Sequence, residues 1–288
     1  MGKANFGVTR AASFKEIDSL FIGSSMFRQG IDIALVTPEG ETAYLLAYNG
    51  NQPILELEEM RRFYELGGKA RRLIVDMYAY SLAATPKLSD SRVLLDDTDG
   101  SYLLRLYAGL KKGGADWRIF YQMVFLTNNE LLVTSPLTLK VVNRRYANGG
   151  NLGKREGATA EKLGRLPLLP SRTKPNADQV ESLRELVQLC LDNGTSVYFV
   201  ETPKYHRIIM ESDSYIRAME QYVNLVAGWP CEVLLHDKTL ERMKHNGKVK
   251  LKNYSFDNTD ASCYSDLIHL SSAGRRTFSL ELQACLNK

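Results

Sequence analysis

Short apolar runs rich in β-branched and aromatic residues alternate along this chain with stretches whose apolar residues recur at helical spacing, and that alternation leaves few folds open. Parallel strands need a long crossover, usually an amphipathic helix, so strand-helix-strand repetition predicts a parallel sheet with helices on its faces. Residues 19–22, 43–47, 72–77, 196–200 and 232–235 read as five strands. Helices are expected over 54–66, 177–191, 212–227 and 271–286. Gly67-Gly68 is the stop of the first, and the second lies between Pro175-Asn176 and Asn193-Gly194, which are start and stop signals of the right kind.

The expected architecture is a flavodoxin-like three-layer α/β/α fold with a five-stranded parallel sheet, residues 1–288 forming a single domain long enough to bury a substantial core. Residues 82–174 are far longer than a usual strand-to-strand connection and read as an insertion within that domain. Helical spacing at 102–110 and 117–132 gives way to an irregular second half rich in Gly and Arg. Gly149, Gly150 and Gly153 lack the strand-turn-helix frame of a nucleotide loop. The insertion leaves and rejoins the sheet near its carboxyl edge, so a lid over that edge is expected, its rival being a subdomain packed on the flank. Residues 148–157, beside Arg144, Arg145, Lys154 and Arg155, are expected to be mobile and to meet an anionic or polyhydroxyl polymer. Tyr102, Tyr107, Trp117, Phe120, Tyr121 and Phe125 recur near helical spacing and read mostly as core.

Charge argues against a nucleic-acid partner. The 37 basic and 33 acidic residues leave a net charge of only +4, and pairs such as Arg61-Arg62, Arg71-Arg72 and Arg144-Arg145 are scattered as solvated faces. Cys190, Cys231, Cys263 and Cys285 are widely spaced, with no Cys-x-x-Cys and no neighbouring histidine at a ligand spacing, so neither a zinc site nor a disulfide framework is indicated. No apolar stretch is long enough to cross a membrane, and the first residues lack the apolar core of a signal peptide. Read as it stands, the chain is expected in the cytoplasm; an N-terminal anchor upstream of this sequence would place it at the cell surface.

Two motifs carry chemistry. The apolar run Leu20, Phe21, Ile22 ends in Gly23, Ser24 and Ser25, presenting small polar groups at the carboxyl end of the first strand, where open parallel sheets collect ligands. Alone, this is an ordinary turn with a serine cap. Near the other end of the chain, Asp266 and His269 stand three residues apart just before the last helix. In one helix-like turn that spacing lets the carboxylate hold one imidazole nitrogen while the other faces a nucleophile or substrate. Asp257 and Asp260 are alternative carboxylates without that spacing, and His236 and His245 receive no catalytic role.

In order and spacing these blocks resemble the SGNH (GDSL-like) hydrolases, whose first block is Gly-Asp-Ser or Gly-Ser-Ser and whose last is Asp-x-x-His. "LFIGSSMFRQGID" looks especially like the branch that accompanies cell-surface polysaccharide or teichoic-acid acylation. "YNGNQPILELEEMRRFYEL", "RRLIVDMYAYS" and "GTSVYFVETPKY" resemble the second block and the third and fourth strands. The resemblance implies Ser25 as nucleophile, Ser24 in the usual Asp position, Asp266 and His269 as orienter and base, and the N–H groups of Ser25 and Gly50 in an oxyanion hole. The family's third block often supplies an Asn to that hole, and this chain has "VDMYAYS" instead. Asn51, Tyr78 and Tyr80 are the candidate replacement donors, and Tyr78, Tyr80 and His206 the candidate substrate contacts. No cofactor and no metal are implied.

A serine hydroxyl is protonated at neutral pH, so a base must take its proton as it attacks a carbonyl, and His is suited to that exchange. The expected activity is that of a serine esterase or O-acyltransferase on O-acyl groups, with O-acetyl foremost, of a carbohydrate, polyol or cell-surface polymer. The resemblance leaves room for a membrane-bound acyltransferase as partner. Losing one oxyanion donor costs about 2.7–4 kcal/mol, so the absent Asn favours a second reading: a catalytically degenerate member that binds glycan or a partner acyltransferase. A nucleotide-binding or regulatory domain is the third reading, disfavoured because "GSSMFRQG" lacks a phosphate-cradling glycine pattern.

Overall fold

The computed structural model describes residues 7–78, 80–90, 93, 99–119, 154–168, 174–243 and 251–287. Six parallel strands form one sheet in the order β2-β1-β3-β4-β5-β6, with helices on both faces. They are β1 (Ile17–Gly23), β2 (Ala43–Ala47), β3 (Ala70–Asp76), β4 (Ser196–Val200), β5 (Cys231–His236) and β6 (Leu251–Tyr254). The α/β architecture is as expected, with one strand more than the five read from sequence. The additional β6 is a four-residue edge strand, Leu-Lys-Asn-Tyr, of which only Tyr254 is buried, so it lacks an apolar run. Central strands show the opposite character: Leu20, Phe21 and Ile22 of β1 and Leu73, Ile74 and Val75 of β3 are all fully buried, as strands covered on both faces must be.

The helices in chain order are α1 (Gly7–Ala11), α2 (Ser25–Gly30), α3 (Ile33–Val36), α4 (Pro53–Glu65), α5 (Gly100–Lys112), α6 (Ala160–Arg165), α7 (Ala177–Asp192), α8 (His206–Glu211), α9 (Asp213–Val226), α10 (Asp237–Arg242) and α11 (Ser272–Leu286). Pro53 opens α4 at a position that needs no N–H, and Gly67, with φ of +81°, closes it. The Asn176 side chain accepts hydrogen bonds from the Asp178 and Gln179 N–H groups at the start of α7. α4 and α7 pack together on one face. Phe199 of β4 meets Tyr222 of α9 and also Trp229, over which Arg184 of α7 lies, adding α9 to that layer. α2, α3 and α11 cover the opposite face.

The first half of the 82–174 stretch packs against α4. Tyr102, Leu106 and Leu110 of α5 are fully buried in a satellite cluster with Tyr48, Ile54 and Leu55, each contributing about 1.5–3 kcal/mol of burial. Tyr102 is therefore core, whereas Trp117 is 59% exposed. The expected helix over 117–132 lies, from residue 120 onward, outside the described residues, as do Phe120, Tyr121, Phe125, Arg144, Arg145 and residues 148–153. On the return limb, residues 154–157 of the segment expected to be mobile make specific contacts. The Arg155 N–H donates to Ser272 Oγ at 2.7 Å and its carbonyl accepts from the Ser272 N–H at 2.9 Å. A Cβ on Gly157 would come within 2.2 Å of the Ser262 carbonyl oxygen. Two-way backbone pairing holds this limb against the start of α11, and the glycine contact seats it on the turn at Ser262. The pairs Arg61-Arg62 and Arg71-Arg72 are answered by carboxylates of Glu58, Glu185, Glu65, Asp18 and Glu41.

Candidate active site

Strand order reverses direction at β1, so the β1/β3 boundary is where a crevice opens at the carboxyl edge. Gly23 ends β1 there because nothing larger fits: an added Cβ would lie 2.3 Å from Asp76 Cβ. Ser24 caps α2, its Oγ accepting from the Met26 N–H at 3.2 Å. The Ser24 hydroxyl donates to Asp76 Oδ2 at 2.5 Å and the Ser24 N–H to the same oxygen at 3.2 Å. With Ser24 so fixed, Ser25 begins α2 half-buried.

Ser25 Oγ lies 2.9 Å from His269 Nε2, across 244 residues of sequence. His269 Nδ1 lies 2.8 Å from Asp266 Oδ2. Burial opposes the charge on Asp266, but hydrogen bonds from the His269 ring and from the Ile268 and His269 N–H groups outweigh it and hold the carboxyl below its usual range. An ionised Asp266 is an acceptor only, so Nδ1–H donates to it, and Nε2 of the neutral ring accepts from the Ser25 hydroxyl. The loop carrying the pair is closed by a Tyr264–Leu270 bridge and a Ser265 N–H donating to the His269 carbonyl at 2.9 Å. Gly274 lets α11 approach the backbone of Cys263, where a Cβ would meet the carbonyl oxygen at 2.0 Å.

Gly50 lies in the turn after β2 with φ of +64°. The Asn49 N–H donates to Asp90 Oδ2 at 3.0 Å and the Asn51 N–H to the Tyr48 carbonyl at 3.1 Å. Among the described residues the Gly50 N–H between them makes no hydrogen bond. Asn51 is buried, and its side-chain amide donates to Glu59 Oε2 at 3.1 Å. The Tyr80 hydroxyl pairs with Ser214 Oγ at 3.4 Å, toward α9. Tyr78 is half-buried, stacked edge-on with Tyr80, and burial raises its phenol above the usual range. His206, half-buried, starts α8, and its N–H donates to the Asn258 carbonyl at 3.0 Å. The adjacent Tyr205 N–H donates to the Leu267 carbonyl at 3.0 Å, tying the end of β4 to the Asp266–His269 loop. Asp257 and Asp260 are taken up in their own turns, with Thr259 and Ser262.

Sequence reasoning did not single out the buried charges beneath the site. Asp76 is buried, which pushes its carboxyl up against the opposing pull of Lys204 and the Ser24 hydrogen bonds. Lys204 is fully buried, which pulls its ammonium down against Asp76, Glu201 and Asp266. Its Nζ donates to the Thr202 carbonyl at 2.7 Å and hydroxyl at 2.5 Å. Glu56, buried on α4, is raised to about 8 by burial and by the charge of Asp76. Glu201 is fully served by the Tyr215 and Thr239 hydroxyls and the His236 N–H. An acidic residue closing the apolar strand "LIVD" was the readable signal for Asp76.

Among the described residues all four cysteines are free, no group of three or more His, Cys, Asp or Glu is arranged to hold a metal, and no helix is long and apolar enough to cross a membrane.

No family model matches the chain, and no curated protein matches it. A solved structure from Streptococcus pneumonia, provisionally described as a platelet activating factor, is similar over 97% of this chain and 89% of that one, at 14% identity and a TM-score of 0.44. A likeness that distant carries no argument about function.

Proposed function

We propose that this protein is a serine esterase or O-acyltransferase of the SGNH type, acting through an acyl-enzyme. The observation that carries the reading is the hydrogen-bonded chain from Ser25 Oγ through His269 to Asp266 at the carboxyl edge of the sheet. Nucleophile, base and orienter stand within reach of one another in the order that acyl transfer needs.

In this mechanism Ser25 Oγ attacks the carbonyl carbon of an O-acyl group while its proton passes to His269 Nε2. Asp266, accepting from Nδ1–H, fixes the tautomer and stabilises the imidazolium that forms. The tetrahedral oxyanion accepts from the Gly50 and Ser25 N–H groups. His269 returns the proton to the departing alcohol, leaving an acyl group on Ser25. Water then releases the acid, or a second hydroxyl takes the acyl group. Both acceptors use the same base, so hydrolysis and transfer share this machinery.

The substrate of this reading is an acylated carbohydrate, polyol or cell-surface polymer, with residues 82–174 as the insertion that selects it and a membrane-bound acyltransferase as partner. The test is reaction of Ser25 with a fluorophosphonate and turnover of p-nitrophenyl acetate. A competing reading, binding without turnover, is favoured by one observation: the Asn51 amide donates to Glu59, which leaves the oxyanion to backbone donors. A protein inert toward both reagents would replace the esterase with that reading.

A further inference from the structure

We infer that Asp90 is a positioning residue of the oxyanion site, aiming the Gly50 N–H by holding the peptide before it. This rests on the proposed esterase reading. Asp90 is a carboxylate at only 5% exposure, contributed by the first limb of the insertion. Its Oδ2 accepts from the Asn49 N–H at 3.0 Å and lies 3.5 Å from Arg28 Nη1. Arg28 is on α2, three residues after Ser25. One buried carboxylate oxygen therefore joins the Gly50 turn to the helix that presents the nucleophile.

The remaining contacts point the same way. The Tyr48 N–H donates to the Gly23 carbonyl at 3.1 Å, docking the turn on the end of β1. The Asn51 N–H closes the turn on Tyr48. Ser89, next to Asp90, packs over Gly50, where an added Cβ would fall 2.8 Å from its Cβ and Oγ. Asn49 and Asn51 are thus committed on either side, and the peptide between them has little freedom to turn its N–H away. An oxyanion donor acts by being aimed before the charge develops, and Asp90 supplies that aim without touching the reacting atoms.

Position and charge are separated by two conservative variants. Asp90→Asn keeps an acceptor oxygen for the Asn49 N–H but removes the charge opposite Arg28. Asp90→Glu keeps the charge but moves the acceptor by one methylene. With p-nitrophenyl acetate, kcat is normalised to the sites titrated by fluorophosphonate, so that misfolded protein does not count. Asp90→Asn is expected to stay within about threefold of wild type. Asp90→Glu is expected to lose kcat by about tenfold to a hundredfold with KM unchanged, below the roughly 10²–10³ that removal of a whole oxyanion donor costs. Wild-type kcat in Asp90→Glu, or an equal loss in both variants, overturns the role of Asp90 alone. A wild type inert toward both reagents removes the esterase reading and this inference with it.

Discussion

Asp76 Oδ2 accepts both the hydroxyl and the N–H of Ser24, so the residue before Ser25 is held by the neighbouring strand as well as by its own capping turn. Asp76→Ala leaves both donors of a buried serine without that acceptor, at about 1–3 kcal/mol for each unsatisfied group. Loss of stability in urea denaturation and a lower kcat are both expected. Gly23→Ala should act similarly from the other side, because its Cβ meets Asp76. Wild-type stability in both variants would show that this contact anchors nothing.

Ser25→Ala should lower kcat on p-nitrophenyl acetate by about 10⁴-fold or more and abolish fluorophosphonate labelling. Asp266→Asn should cost about 10⁴-fold, since an amide cannot hold the Nδ1–H tautomer, while still accepting the Ile268 and His269 N–H groups. Ser24→Ala removes a cap worth about 1 kcal/mol and should weaken activity without abolishing labelling. A labelled Ser25→Ala, or an unlabelled Ser24→Ala, would exchange the roles of the two serines.

Glu56 gives a pH signature of stability. Its carboxyl is raised from 4.5 to about 8 in the folded protein by burial and the charge of Asp76, so the folded state keeps a proton that the unfolded chain has released. Stability from this group is present below the unfolded value and falls as pH rises through that window. Glu56→Gln should match wild type near pH 4 and be more stable near pH 9, by up to a few kcal/mol. Urea denaturation of both proteins across that range checks it, and parallel pH curves would place the ionisation of Glu56 elsewhere.

Gly157→Val should push the return limb of the insertion off Ser262, whose carbonyl oxygen leaves no space for a side chain. The cost expected is about 1–3 kcal/mol of stability. Because Ala158 also donates to the Tyr264 carbonyl next to the Asp266–His269 loop, kcat should fall severalfold. A melting curve and p-nitrophenyl acetate kinetics check the two effects, and an unchanged kcat would make the limb a bystander.

The central strands were readable because β1 and β3 are buried on both faces and so consist of unbroken apolar residues. β6 was not, because an edge strand with one buried residue carries no such run. The proximity of Ser25 to His269 followed from each standing at the end of an element where the topology converges. The partnership of Ser24 with Asp76 did not, since it spans 52 residues and depends on which strands are neighbours. Residues 154–157 look like a flexible Gly- and Arg-bearing segment in sequence; the backbone pairing of Arg155 with Ser272 is a contact that composition does not encode.

In the proposed reading, the sequence separation of 244 between Ser25 and His269 leaves the serine without its base until the segment carrying α11 has been made. The proposed base arrives with α11, whose Ser279 hydroxyl accepts from the Asp32 N–H at 2.8 Å and whose Phe278 lies near Gly30 of α2. A chain still emerging from the ribosome can finish most of its sheet and still hold an inert serine. Contacts of such long sequence separation form late and slowly. If the proposed reading holds, hydrolytic competence would therefore appear only after α11 docks, and the rate of its appearance would clock that docking step.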